Sequence, residues 1–183
     1  MNKNEQYKLV GRSDKDFLNL ADFYPTPPWV TNILIKYHNF TGNIWECACG
    51  DGRLSEVLKK AGYDVISTDL NNYGYAIAGI DFLLEQKSKA VNIVTNPPFK
   101  LAYEFMEHCY HLAIKDFALL LPIRYLAGIK RAAFYNMKPP CKIIIIPKKI
   151  DFLGNKNPVM EFAWFVWSKN YTGPTEVIWA LMT

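Results

Sequence analysis

The residues Asn96, Pro97, Pro98 and Phe99 combine side chains that suit one narrow chemistry. They follow the apolar run NIVT, which is typical of a buried strand. Proline restrains its own φ and biases the preceding residue toward extended conformations, so the backbone at Asn96 and Pro97 is held rigidly. Proline carbonyls accept hydrogen bonds without a competing N–H, and the Asn96 side chain adds a second acceptor. This pattern predicts binding of an amino group on a planar ring, whereas a rigid turn that merely ends a strand is the alternative.

A second candidate site follows the earlier strand-like run NIWECA, in the sequence ECACGDGR (46–53). Gly50 and Gly52 allow a sharp turn and a close approach of ligand to backbone. A dinucleotide-binding fingerprint would need a third glycine where the chain has Ser55, which disfavours pyrophosphate binding. The next strand ends at Asp69, at the spacing where an acid binds ribose hydroxyls. A strand-end or helix-capping role is the alternative for this carboxylate.

Asp81 and Phe82 form a third candidate, in the segment GIDFL. The Asp81 carboxylate is placed to accept a hydrogen bond from the amino group of a bound adenine, with the Phe82 ring against the base. For Asp81, a surface turn is an equally simple explanation.

The elements that must position these residues alternate between strands and helices. Helices are predicted at 28–37, 53–61, 101–115 and 124–137, and strands at 43–48, 64–70, 91–96, 117–122 and 141–149. This alternation predicts an α/β fold with a mostly parallel sheet and helices on both faces. Ligands bind such sheets at the carboxyl ends of the strands. The segments EFAWFVWSK and TEVIWALM, joined by the turn-rich NYTGP, predict a closing β-hairpin.

The composition restricts the kinds of protein to which this chain can belong. The 183 residues are 50% hydrophobic and 15% aromatic, enough for one domain with a substantial core. We expect a partly ordered arm at 1–22 and a single domain at 23–183. No apolar run approaches the roughly 20 residues of a membrane span, and the polar N-terminus lacks a signal-peptide core, so a cytoplasmic protein without membrane contact is expected. The four cysteines show no C-x-x-C pair, which disfavours a disulfide framework or a zinc site.

The charge distribution suggests a polyanionic partner. The net charge is +4, and the stretch 117–150 contains seven basic residues and no acidic one. Arg124 follows the apolar run LLLP, Lys148 and Lys149 follow IIIIP, and all three are candidates for phosphate contacts. A solvated face balanced by acids elsewhere is an equally open interpretation.

The pairing of ECACGDG with NPPF resembles the S-adenosylmethionine-dependent amino methyltransferases. It is most similar to the adenine-N(6) DNA methyltransferases encoded by phages and prophages. The resemblance covers roughly residues 22–170, and FYPTP (23–27) resembles the upstream cofactor motif of that family. It implies a Rossmann-like class I methyltransferase fold, in which a seven-stranded, mostly parallel sheet has one antiparallel strand near its edge.

The resemblance also implies roles for individual residues. The cofactor is S-adenosylmethionine, whose activated methyl group the amine attacks without a metal or a covalent intermediate. Asn96 and Pro97 would bind the target amine and Phe99 would stack on the base, with Pro98 completing the catalytic motif and Asn96 also bordering the cofactor. The implied cofactor-binding residues are Phe23, Thr26, Pro27, Glu46, Ala48, Gly50, Gly52, Asp69, Leu70, Asp81 and Phe82.

The chain departs from sequence-specific members of that family in one respect. It has no sizeable insertion between the motifs, and the residues after Phe99 are largely needed to complete the sheet. A separate target-recognition domain is therefore not expected, which predicts loose sequence specificity, a partner subunit or a single-stranded substrate. DNA is the expected partner, and RNA is possible. Methylation of an RNA base or of a protein glutamine remains an alternative, as does an inactive relative that only binds nucleic acid.

Overall fold

The computed structural model describes residues 23–152, 154 and 160–182. The arm predicted at 1–22 lies outside these residues. Within them, no helix is long and apolar enough to cross a bilayer. The helices are α1 (Pro28–Tyr37), α2 (Arg53–Lys60), α3 (Ala102–Leu112) and α4 (Ile129–Met137), and the strands are β1 (Ile44–Glu46), β2 (Val65–Ser67), β3 (Asn92–Thr95), β4 (Asp116–Pro122), β5 (Lys142–Ile145), β6 (Phe162–Ser168) and β7 (Glu176–Trp179).

The seven strands form one sheet in the order β2-β1-β3-β4-β6-β5-β7. The pairs β1–β2, β1–β3, β3–β4 and β5–β7 are parallel, and β6 is antiparallel to both of its neighbours, β4 and β5. β1, β2, β3, β4 and β5 therefore all end at the same edge of the sheet. The predicted sheet, mostly parallel with one antiparallel strand, is confirmed.

The predicted closing hairpin is wrong. β6 and β7 do not pair, because β5 lies between them and β7 runs parallel to β5 on the outer edge. The burial of the two strands explains this arrangement. β6 is buried along nearly its whole length, so it needs a neighbouring strand on each side and a covered layer on each face. β7 is largely exposed, as an edge strand can be.

Two hydrophobic layers cover the two faces of the sheet. Along β4, Phe117, Leu119 and Leu121 face one layer, whereas Ala118 and Leu120 face the other. The first layer includes buried residues of α3 and α4, and the second includes those of α1 and α2. Helices therefore cover both faces, as predicted.

The helix predicted at 124–137 is interrupted. A 3-10 turn at Ile123–Leu126 precedes α4, and the two are separated by Ala127 and Gly128. Gly128 has a φ of 116°, which is outside the helical region and favours glycine. This break produces an exposed loop at the carboxyl end of β4.

Candidate active site

A cleft opens where β1, β2 and β3 end. It holds about 750 Å³ of empty space, open solvent at its mouth included. Four of the predicted site residues lie beside the cleft wall but do not line it: Pro27, Gly52, Pro97 and Phe99. The other predicted cofactor and catalytic residues line it: Phe23, Thr26, Glu46, Ala48, Gly50, Asp69, Leu70, Asp81, Phe82, Asn96 and Pro98.

The glycine turn after β1 forms the floor of the cleft. Gly50 has a φ of 54°, and a Cβ atom there would collide with the ring of Phe23. Gly52 has a φ of 83° and precedes α2, where a Cβ would collide with Tyr75 instead. Gly50 therefore shapes the ligand-facing surface, whereas Gly52 allows the start of the helix.

Glu46, at the end of β1, is buried with 2% of its surface exposed. Burial raises the pKa of its carboxyl to about 8, although the hydrogen bond from Ser55 opposes the rise. The Ser55 hydroxyl donates to Glu46 Oε2 and lies 2.6 Å from the Ser67 hydroxyl. Ser55, which occupies the third-glycine position, thus fixes the carboxyl that borders the cleft.

Asp69 joins the end of β2 to the glycine turn. Its carboxylate accepts hydrogen bonds from the backbone N–H of Gly50 at 2.9 Å and of Asn71 at 2.7 Å. Burial raises the pKa of Asp69, and these backbone donors counteract the rise. The next residue, Leu70, also lines the cleft. Asp69 therefore holds the turn in shape and lines the cleft, and its contact with a ribose stays a prediction.

Asp81 and Phe82 border another wall of the cleft. Asp81 Oδ1 accepts from the backbone N–H of Leu83 at 3.1 Å and caps the 3-10 turn Phe82–Leu84. The Phe82 ring packs against Trp45 and Phe105, with ring centroids 5.3 and 4.8 Å apart. Phe82 is 2% exposed, so core contacts occupy most of its ring, and its contact with a bound adenine stays a prediction.

Asn96 has an unusual set of hydrogen bonds. Its Nδ2 donates to the Tyr24 carbonyl at 3.0 Å and to the Thr26 hydroxyl at 3.1 Å. Its Oδ1 is buried and has no hydrogen-bond partner among the residues that the structure describes. The two donated bonds fix the orientation of the amide, so that an unsatisfied acceptor lies at the wall of the cleft.

Phe99 is packed among other aromatic rings. It stacks on Tyr24, with centroids 4.6 Å apart and planes inclined by 16°, and lies 5.4 Å from the ring of Phe162. Since Tyr24 covers one face of Phe99, a target base would stack there only after displacing Tyr24. The role of Phe99 as a stacking partner of the base stays a prediction.

The predicted basic residues lie away from the cleft wall. Arg124 is exposed in the 3-10 turn after β4. Lys148 lies 5.7 Å from the centroid of the Trp29 ring, and Lys149 pairs with Glu161 at 3.4 Å. The three residues follow β4 and β5, so they lie at the same edge of the sheet as Asn96.

Several residues of the site have no obvious signal in the sequence. Tyr24 supplies both the carbonyl that holds Asn96 and the ring that covers Phe99. Tyr73 lines the cleft and stacks on Phe23 with centroids 4.5 Å apart. FYPTP could have drawn attention to Tyr24, because the residue lies inside that motif. Tyr73 lies in an irregular segment whose path only the fold reveals.

The cleft fits S-adenosylmethionine. The glycine turn admits the Phe23 ring against Gly50, where a Cβ would collide with it, and Phe23, Asp69 and Asp81 line the cleft above this turn. Phe23, Thr26, Glu46 and Ala48 would border the bound cofactor. In the described part of the chain, no three His, Cys, Asp or Glu side chains are grouped as metal ligands.

Comparison with solved structures identifies the fold. A protein assigned as a class I S-adenosylmethionine-dependent methyltransferase from Listeria monocytogenes has a TM-score of 0.64 at 14% identity, covering 97% of this chain and 70% of its own. One assigned as the modification subunit of a type I restriction enzyme from Vibrio vulnificus has a TM-score of 0.57 at 14% identity. That match covers 92% of this chain, which spans about half (49%) of the Vibrio subunit.

A third similar structure, assigned as an RNA methyltransferase from Pyrococcus horikoshii, has a TM-score of 0.57 at 14% identity and covers 78% of this chain and 80% of its own. No protein-family model matches the chain, and no curated protein sequence matches it significantly. At these identities the likeness concerns the fold alone. The chain has the Rossmann-like class I methyltransferase fold.

Proposed function

We propose that this protein transfers a methyl group from S-adenosylmethionine to the exocyclic amino group of adenine in DNA, with loose sequence specificity. The single observation that carries the proposal is the buried, unpaired Oδ1 of Asn96 at the wall of the cleft. A buried acceptor without a partner costs about 1–3 kcal/mol, which a donor entering the cleft would recover. An amino group is such a donor.

The residues of the chain would act mainly by placement. Asn96 Oδ1 would accept a hydrogen bond from the target amine, with Pro97 as the second predicted acceptor. Because Tyr24 and Thr26 already hold the Asn96 amide, the acceptor needs little reorganisation as the amine attacks. The bound cofactor supplies an electrophilic methyl group on its sulfonium.

The substrate class rests on further support. The Vibrio protein is assigned to a restriction–modification system, which makes DNA the first choice. The basic, acid-free stretch 117–150 favours a polyanion over a peptide. An RNA base is the second candidate, because the Pyrococcus protein is assigned as an RNA methyltransferase.

The proposal is tested by methyl transfer from radiolabelled S-adenosylmethionine. Unmethylated duplex DNA, single-stranded DNA, total RNA and a protein extract are offered separately, and the labelled product is digested and chromatographed. We expect label in N(6)-methyldeoxyadenosine, spread over unrelated sequences. Label in an RNA base would move the activity to the second candidate, and label in glutamine would replace the substrate altogether. If calorimetry shows cofactor binding but no substrate is labelled, the protein is not this enzyme.

A further inference from the structure

Arg53, the first residue of α2, is the one cationic side chain among the described residues that line the cleft. Lys100, which follows Phe99 in the chain, is exposed and does not line the cleft. A ligand that brings an anionic group into the cleft therefore has a single positively charged side chain at the wall to contact.

The other charged side chains of the cleft wall are acidic. Glu46, Asp51, Asp69 and Asp81 line it. Burial raises the pKa of Glu46 to about 8, so this carboxyl is mostly protonated near neutral pH and the three aspartates supply most of the negative charge. The aspartates repel an anionic group, so Arg53 marks the part of the wall that attracts one. The N-terminal end of α2 adds a partial positive charge at the same place.

Asp51 holds the Arg53 side chain in place. Arg53 Nε lies 2.8 Å from Asp51 Oδ2, and the Arg53 backbone N–H donates to Asp51 Oδ1 at 3.4 Å. Within the described ranges, Asp51 is the only residue that forms an ion pair with this guanidinium. A guanidinium has five N–H donors, so donors remain for a ligand. The Arg53 side chain is 50% exposed, which leaves it within reach of a ligand at the mouth of the cleft.

The methionine part of S-adenosylmethionine matches this distribution of charge. It carries an ammonium group and a carboxylate, and the sulfonium adds a second positive charge. The acidic wall suits the two cations, whereas the carboxylate needs a positively charged donor. Arginine binds carboxylates through paired N–H groups of fixed geometry.

We propose that the Arg53 guanidinium, oriented by Asp51, binds the carboxylate of S-adenosylmethionine and thereby selects cofactors that carry an amino-acid end. This inference rests on the proposed function, whose cofactor it concerns. Because Arg53 directly follows Gly52, the glycine turn that forms the floor of the cleft also places this cation at its wall.

The test compares two ligands that differ in one group. Calorimetry measures the dissociation constants of S-adenosylmethionine and of decarboxylated S-adenosylmethionine, which lacks only the carboxylate. The wild-type protein should bind S-adenosylmethionine about five- to tenfold more tightly, because a hydrogen bond between charged groups is strong but this one is partly exposed to solvent. In Arg53→Gln this affinity ratio should fall to one or below, because the aspartates then favour the ligand with the higher positive charge. The ratio is the readout, since the loss of the partner of Asp51 affects both ligands.

Two further variants serve as controls. Arg53→Lys keeps the charge but not the paired donors, so it should retain part of the preference for S-adenosylmethionine. Lys60→Gln removes a cation from the other end of α2 and should keep the wild-type ratio. An equal fall of the ratio in Lys60→Gln and Arg53→Gln would refute a direct contact. Thermal denaturation should show all three variants folded, because both side chains are largely accessible to solvent.

The outcomes separate this inference from the proposed function. An unchanged ratio in Arg53→Gln, or a wild-type protein that binds the two ligands equally, overturns the role of Arg53 and leaves methyl transfer as proposed. A ratio that depends on Arg53, in a protein that labels none of the offered substrates, supports the inference and refutes the proposed enzyme. If the wild-type protein binds neither ligand, both fail.

Discussion

Replacement of Asn96 by alanine tests whether this residue contributes to methyl transfer rather than to cofactor binding. The substitution removes the unpaired Oδ1 acceptor together with the two hydrogen bonds from Nδ2 to Tyr24 and Thr26. It leaves the hydrogen bond between Asp69 and the Gly50 backbone in place. We therefore expect a large loss of methyl transfer with a small change in cofactor affinity.

The magnitudes follow from these contacts. Each hydrogen bond contributes about 0.5–1.5 kcal/mol net, so the loss of two costs about 1–3 kcal/mol, but removal of the buried, unpaired Oδ1 recovers about 1–3 kcal/mol, so the free energy of unfolding should change little. Removal of one preorganised group that stabilises a transition state typically lowers turnover by about 10²–10³-fold. The dissociation constant of S-adenosylmethionine should stay within a few-fold of that of the wild-type protein, because the glycine turn is unchanged.

The matched control is Asn92→Ala, at the other end of β3. Asn92 Nδ2 donates two hydrogen bonds, to the carbonyls of Thr41 at 3.1 Å and Asn43 at 3.0 Å, and its Oδ1 accepts a third from the backbone N–H of Asp116 at 3.2 Å. Urea denaturation gives the stability of each variant, calorimetry gives cofactor affinity, and turnover is measured per folded molecule well below the melting temperature. Asn92→Ala should lose stability and keep its turnover. Equal loss of turnover in the two variants, or parallel loss of turnover and cofactor affinity in Asn96→Ala, would contradict the assigned role.

Three further predictions concern other parts of the cleft and its rim. Asp69→Ala should weaken S-adenosylmethionine binding at least tenfold by calorimetry, because the Gly50 N–H loses a charged acceptor; unchanged affinity would remove Asp69 from the site. For Glu46, the carboxyl pKa is raised to about 8 in the folded protein, so the free energy of unfolding should fall as pH rises from about 4.5 to about 8, by at most about 1.4 kcal/mol per pH unit. Glu46→Gln should flatten that decline in denaturation series, and parallel curves for the two proteins would refute the burial argument. Lys148→Gln should reduce the slope of log affinity for DNA against log salt concentration by about 0.9, and Lys149→Gln should reduce it by less because Glu161 already pairs with Lys149. The control Lys60→Gln, at the opposite edge of the sheet, should leave the slope unchanged. Identical slopes for all three variants would show that Lys148 and Lys149 do not contact phosphates.

The local structure was largely predictable because its signals are local. Pro27 and Pro28 mark the start of α1, and the helix spans Pro28–Tyr37 as expected. The strand order was harder to predict from the sequence, because the insertion of β5 between β6 and β7 depends on pairing between segments far apart in the chain. The nearly continuous burial of β6 reflects the apolar run FAWFVW, which favours an interior strand over a hairpin arm. Gly128, within the helix predicted at 124–137, similarly signalled the break before α4.

The site residues likewise divide into those that the sequence predicted and those that only the fold reveals. Most predicted residues converge on the cleft because the carboxyl ends of parallel strands share one edge of the sheet. The role of Ser55 emerges only from the burial of Glu46, since a serine after a glycine turn has no distinctive signal of its own. The contact of Tyr24 with Phe99 joins residues far apart in the chain, and no periodicity could have revealed it.

The short segment 23–26 unites the two halves of the site. Phe23 covers Gly50 in the glycine turn, and Tyr24 and Thr26 hold the Asn96 amide. These residues lie outside regular secondary structure, so no helix or strand keeps them in place. Prolines do so instead, because FYPTPP restricts φ at three of its six positions and thereby lowers the entropy cost of ordering the segment. The orientation of the Asn96 amide thus depends on a stiff segment that also contacts the glycine turn, which couples the two candidate subsites mechanically.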